Sequence, residues 1–109
     1  MKRILSLLNS LSIKKLITRK DSPNTFITID FPKTGERIHP QHYAICIRAH
    51  EGDNVQLSIN QGDWKPCHFA RGFYWFDWHN IPNGKHEIVA KMMLPTGGFK
   101  KSNNVKIIV

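Results

Sequence analysis

From Thr25 to the C-terminus the sequence is a succession of short runs in which apolar and polar residues alternate, each ended by turn-forming residues after roughly ten positions. A period of two describes a strand with one dry and one wet face, and a helical face cannot supply it. The clearest run is 55–60, where Val55, Leu57 and Ile59 alternate with Gln56, Ser58 and Asn60 before Gln61-Gly62-Asp63 reverses the chain. Phe26–Phe31 sets Ile27 and Ile29 against Thr28 and Asp30, ends at Pro32 and turns at Thr34-Gly35-Glu36. In 43–50, Tyr43, Ile45, Ile47 and Ala49 alternate with Ala44, Cys46 and Arg48, and Glu51-Gly52-Asp53-Asn54 follows as a turn.

The remaining runs are less uniform. Residues 64–70 form a weaker strand broken by Pro66, and a proline there belongs on a sheet edge. Residues 72–79 are aromatic on both faces, with Tyr74, Phe76 and Trp78 on one side and Phe73, Trp75 and Asp77 on the other. The pair Asn83-Gly84 closes that strand with a strong turn signal. Lys85–Met93 then groups His86, Ile88, Ala90 and Met92 inward, and Val105, Ile107 and Val109 give the last strand its inner face.

A chain of 109 residues holds one modest core. About seven antiparallel strands of this length favour two packed sheets over a barrel, so the expected fold is all-β, an immunoglobulin-like sandwich over residues 25–109. Residues 1–24 form a separate basic segment, closed by the turn-forming Asp21-Ser22-Pro23-Asn24.

Its first twenty residues carry Lys2, Arg3, Lys14, Lys15, Arg19 and Lys20 with no acid before Asp21, and so account for six of the eight net positive charges. Three readings of it stay open. As an export signal it has a positive start and an apolar stretch, but Asn9 and several serines interrupt the stretch and no small-x-small cleavage site ends it. As an amphipathic helix of about three turns it would align Ile4, Leu7, Leu8 and Leu11 on one face. As a basic tail it would be solvated. The compartment is left undetermined, and the outward phase of Cys46 gives no reason for it to meet Cys67.

Several of these segments together also resemble the bacterial immunoglobulin-like domains of the early-set, fibronectin-III-like type. They are Ile27-x-Ile29 with Pro32 and Gly35, Val55-x-Leu57-x-Ile59-Asn60-x-Gly62, Tyr74-x-Phe76-x-Trp78 and, most specifically, Pro82-Asn83-Gly84-x-His86-x-Ile88-x-Ala90. The resemblance implies a spacer, an accessory module beside an enzyme, or an adhesive or carbohydrate-contacting unit. Fold analogy carries no activity, so function rests on a site.

If Tyr74, Phe76 and Trp78 fill the core, Phe73 and Trp75 point outward beside the strand carrying Cys46 and Arg48, and such an aromatic face on a small domain marks an interface. Phe73, Trp75, Arg48 and Trp64 are therefore the candidate binding residues for a protein or a carbohydrate. Self-coverage of that face by the N-terminal helix is the competing reading. The six histidines offer only His39-Pro40-Gln41-His42 at close spacing, which is short of a metal site, and His86 fits a structural place near the Asn83-Gly84 turn.

No nucleophile motif surrounds Cys46, Cys67 or Ser58, and the acids are scattered over turns and outer faces. The sequence thus reads as a non-enzymatic interaction or scaffold module without cofactor or metal. Its expected partner is another protein, reached through the aromatic face and the basic segment. Two alternatives stand beside it: a carbohydrate-contacting accessory domain, and nucleic-acid or anionic-membrane binding through the basic segment.

Overall fold

The computed structural model describes residues 24–109; the expectations for the basic segment, from Lys2 to Lys20, lie outside the described residues. Among the described residues nine strands follow one another: β1 Phe26–Phe31, β2 His42–His50, β3 Asp53–Ile59, β4 Lys65–Pro66, β5 His68–Ala70, β6 Phe73–His79, β7 Lys85–Met93, β8 Phe99–Lys101 and β9 Val105–Ile108. They form two antiparallel sheets. One runs β9-β7-β3-β4, with β8 also paired to β7; the other runs β1-β2-β6-β5.

The alternation places the core where the sequence puts it. Ile27, Ile29, Ile45, Ile47, Val55, Leu57, Trp78, Ile88, Ala90, Met92, Val105 and Ile107 are buried between the sheets. Each large aliphatic side chain removed from water in this way stabilises the fold by about 1.5–3 kcal/mol. Tyr43, Ala49, Tyr74, Phe76 and Ile59 pack against this cluster but stay partly exposed, because they lie toward its rim.

One expected strand proves to be two, and one strand was not expected. The 64–70 run crosses between the sheets: Lys65–Pro66 pairs with β3, while His68–Ala70 pairs with β6 in the other sheet. Cys67 is the crossing point, its N–H donating to the Val55 carbonyl at 3.0 Å. Pro66 sits on the outermost strand, where the missing N–H costs no ladder bond. The unexpected strand is β8, which precedes the C-terminal strand and pairs with the far half of β7. Between β8 and β9, Ser102 keeps the edge continuous by donating its N–H to Ala90 O at 2.8 Å and accepting the Ala90 N–H on Oγ at 2.9 Å.

A third departure matters most for the outer surface. Strict alternation would group Phe31 with Ile27 and Ile29, but the register of β1 shifts between Ile29 and Phe31. This bulge puts Phe31 opposite Cys46, an outward position, and leaves its ring 52% exposed.

Candidate binding face

The outer face of the β1-β2-β6-β5 sheet is built by register. Trp75 on β6 stands between Cys46 on β2 and His68 on β5, and Cys46 stands between Trp75 and Phe31 on β1. A single row, Phe31-Cys46-Trp75-His68, therefore crosses all four strands. Toward one end lie Arg48, paired with Thr28, and then His50, paired with Phe26. Toward the other lie Ala44 opposite Asp77 and His42 opposite His79.

The side chains on this face are held by specific contacts. Trp75 donates its indole N–H to the Ala70 carbonyl at 2.9 Å and meets the Phe73 ring edge-on, with centroids 6.0 Å apart. Arg48 grips Asp30 with Nε at 3.0 Å and a second nitrogen at 3.4 Å, and its guanidinium lies 5.5 Å from the centre of the Phe26 ring. Phe26 in turn stacks on His50 at 5.9 Å. At the far end His42 and His79 stack at 4.7 Å, with Asp77 3.4 Å from His42 Nε2.

Cys46 points to this outer side yet is buried. Burial, and next to it the charge of Asp30, raises its thiol pKa, with Arg48 opposing. Cys67 is pushed up to about 12 by burial alone. Both cysteines are free, and both stay protonated at neutral pH, the unreactive state of a thiol. Tyr43 is also raised to about 12, first by burial and then by Glu36, whose carboxylate accepts its hydroxyl at 3.4 Å. Among the described residues no group of three His, Cys, Asp or Glu side chains converges as a metal site would require.

Of the four candidate binding residues, Arg48, Phe73 and Trp75 share this face, and Phe73 and Trp75 are half-buried by their own neighbours. Trp64 does not join them. It lies on the outside of the opposite sheet, 4.3 Å from the ammonium of Lys91. Phe31 is the member that the alternation rule missed, since a bulge is invisible to a period of two, while Phe26 shares the outward phase of Thr28 and Asp30. His86 occupies the structural place expected of it: it is buried, with Nε2 donating to Pro82 O at 2.6 Å.

The architecture is that of an immunoglobulin-like sandwich, more narrowly a fibronectin-III-like one. Among solved structures the chain is similar to the fibronectin(III)-like modules of CbhA from Clostridium thermocellum. There the identity is 19% and the TM-score 0.65, over 77% of this chain and 94% of that one. It is also similar to an engineered protein at 16% identity and a TM-score of 0.63, again over 77% of this chain but only 20% of that one. No family model matches the chain, and no curated protein matches it by sequence.

Proposed function

We propose that this domain is a non-catalytic binding module that docks a protein partner on the outer face of the β1-β2-β6-β5 sheet. The observation that carries the reading is the row Phe31-Cys46-Trp75-His68, flanked by Phe26 and Phe73. It is an aromatic surface spread over four strands and anchored at one side by the Arg48–Asp30 pair. Exposed aromatic area with an arginine beside it is the composition of interface centres. The likeness to fibronectin(III)-like modules supports a role without catalysis. The basic segment carrying Lys2, Arg3, Lys14, Lys15, Arg19 and Lys20 adds attraction for an acidic partner.

The test is quantitative affinity capture from the native cell, followed by measured binding of the captured protein to variants of the full chain. Phe31→Ser and Trp75→Ala should each weaken that binding at least tenfold, the scale of a hot-spot residue. Phe99→Ser, an exposed ring on the other sheet, should not. Equal binding by all three variants would sink the proposal. Retention on an immobilised polysaccharide that is lost with Trp75→Ala would replace the protein partner by a carbohydrate one. Dye binding to the aromatic face that rises on deletion of residues 1–20, with no partner found, would assign the face to self-coverage.

A further inference from the structure

The lysines of the described chain are not spread evenly. Lys65, Lys85, Lys91, Lys100, Lys101 and Lys106 all lie on strands of the β9-β7-β3-β4 sheet and its β8 edge, against Asp53 and Glu87. The strands of the other sheet carry Arg48 against Asp30 and Asp77. Lys65 and Lys100 stand opposite the buried Leu57 and Met92, which leaves Lys85, Lys91, Lys101 and Lys106 to the outside of this sheet. Lys33 lies 5.4 Å from the Phe31 ring on the other face.

On the outside of this sheet Lys91 and Lys101 are direct cross-strand partners. Like charges set opposite one another destabilise a sheet, and neither is paired to a carboxylate among the described residues. Lys91 instead sits 4.3 Å from the Trp64 ring and 4.3 Å from the Phe99 ring, and Lys101 lies 6.0 Å from Trp64. Ring faces hold the ammonium groups in place without neutralising them, so their charge remains available to an anion. Lys85 lies six residues along β7, about 20 Å away at strand spacing, with Glu87 and Val89 on the same face between them and Lys106 on the edge strand opposite Glu87.

We infer that this face binds single-stranded nucleic acid, with phosphates on the Lys91–Lys101 pair and a base against Phe99 or Trp64. The two cations are lysines, point charges that bind phosphate without demanding a fixed approach, and the rings beside them offer a base a stacking surface. A lipid surface fits less well. The apolar side chains exposed on this side, Phe99 and Ile108, pair with Met93 and Lys85 at opposite ends of β7, too far apart to form an inserting tip. A pair of cations beside two aromatic rings is the arrangement that holds the backbone of an unpaired strand and stacks its bases.

The experiment is fluorescence anisotropy of the full chain with a labelled twelve-nucleotide oligodeoxythymidylate between about 50 and 200 mM salt. Lys91→Gln with Lys101→Gln should make the slope of log K against log salt shallower by about 1.4, two phosphate contacts on a single strand. Phe99→Ser should weaken binding roughly tenfold, and Trp64→Leu likewise if thermal unfolding shows it folded. The exposed position of Phe99 keeps the ring test independent of Trp64. Three results would overturn the inference: binding lost in Lys14→Gln/Lys15→Gln but unchanged in the Lys91/Lys101 variant, equal affinity for a duplex of matching sequence, or binding to phosphatidylserine vesicles without binding to the oligonucleotide.

Discussion

The side-chain amide of Asn60 lies 2.9 Å from Nδ1 of His86, joining the turn after β3 to the start of β7. Because His86 Nε2 donates to Pro82 O, Nδ1 is the acceptor and Asn60 Nδ2 the donor, which fixes the neutral tautomer. The Asn60 Oδ1 accepts the Glu87 N–H at 2.8 Å, and its backbone φ of 54° is one that Asn tolerates better than most residues. His86 also packs edge-on against Trp78.

His86→Ala therefore removes both bonds and opens a gap beside Trp78. The expected loss is about 2–3 kcal/mol of stability, read as a lower urea midpoint with an unchanged m-value. Asn60→Ala should cost about 1–2 kcal/mol through the lost bonds and the strained φ.

This network was half legible in the sequence. The Pro82-Asn83-Gly84-x-His86 segment marks a turn with a semi-buried histidine, and β7 places His86 on the inner face with Ile88 and Ala90 by simple alternation. The partner from 26 residues upstream is not legible, because a polar contact from a turn to a distant strand leaves no periodic trace. The same divide runs through the fold. Runs such as Val55–Leu57 are set by burial of every second residue. The crossing at Cys67 and the bulge before Phe31 are set by how strands meet, which no single run encodes.

Gly52 abuts Met92 in the turn between β2 and β3. A Cβ built there would fall inside van der Waals contact of the Met92 sulfur and its neighbouring carbons, and Met92 is fully buried. Gly52→Ala should destabilise the fold by about 1–3 kcal/mol through overpacking. Met92→Ala alone should cost about 2–5 kcal/mol through the cavity it leaves. Together the two should cost less than their sum, since the smaller side chain admits the added methyl. A double-mutant cycle by chemical denaturation measures the coupling, and strict additivity would contradict the contact.

Alkaline pH should unfold this domain earlier than its charge alone would suggest. Cys67 is raised from 9.0 and Tyr43 from 10.0, each to about 12, so the folded state holds both protons after the unfolded chain has released them. Their contribution is fully present below about pH 9 and is lost as pH climbs toward 12. Urea midpoints should fall across that window, and Cys67→Ala should flatten the early part of the fall. A thiol reagent at pH 8 should modify native Cys67 far more slowly than the denatured chain.

The legibility of the aromatic face followed its registers. Trp75 opposite Cys46 follows from the alternation of two strands that an immunoglobulin-like order makes neighbours. The separation of Trp64 from that face does not follow, because it depends on the chain changing sheets one strand later. Nor did the composition reveal that six of the seven described lysines lie on strands of one sheet, since a net charge contains no geometry.

Asn103 closes the open side of β1. Its Oδ1 accepts the Thr28 hydroxyl and the Ile29 N–H, both at 3.2 Å, so a loop of one sheet satisfies the backbone at the edge of the other. An uncovered edge strand is a template for pairing with a second chain, and Phe26 and Phe31 would lend such pairing an apolar surface. Asn103→Ala should lower stability by about 1 kcal/mol, the ordinary worth of such bonds. Its larger effect should be on association: light scattering of the variant should rise with protein concentration under conditions where the parent stays monodisperse. Asn103→Asp keeps the acceptor and should leave scattering unchanged. If it aggregates as the alanine variant does, the edge is guarded by something other than this oxygen.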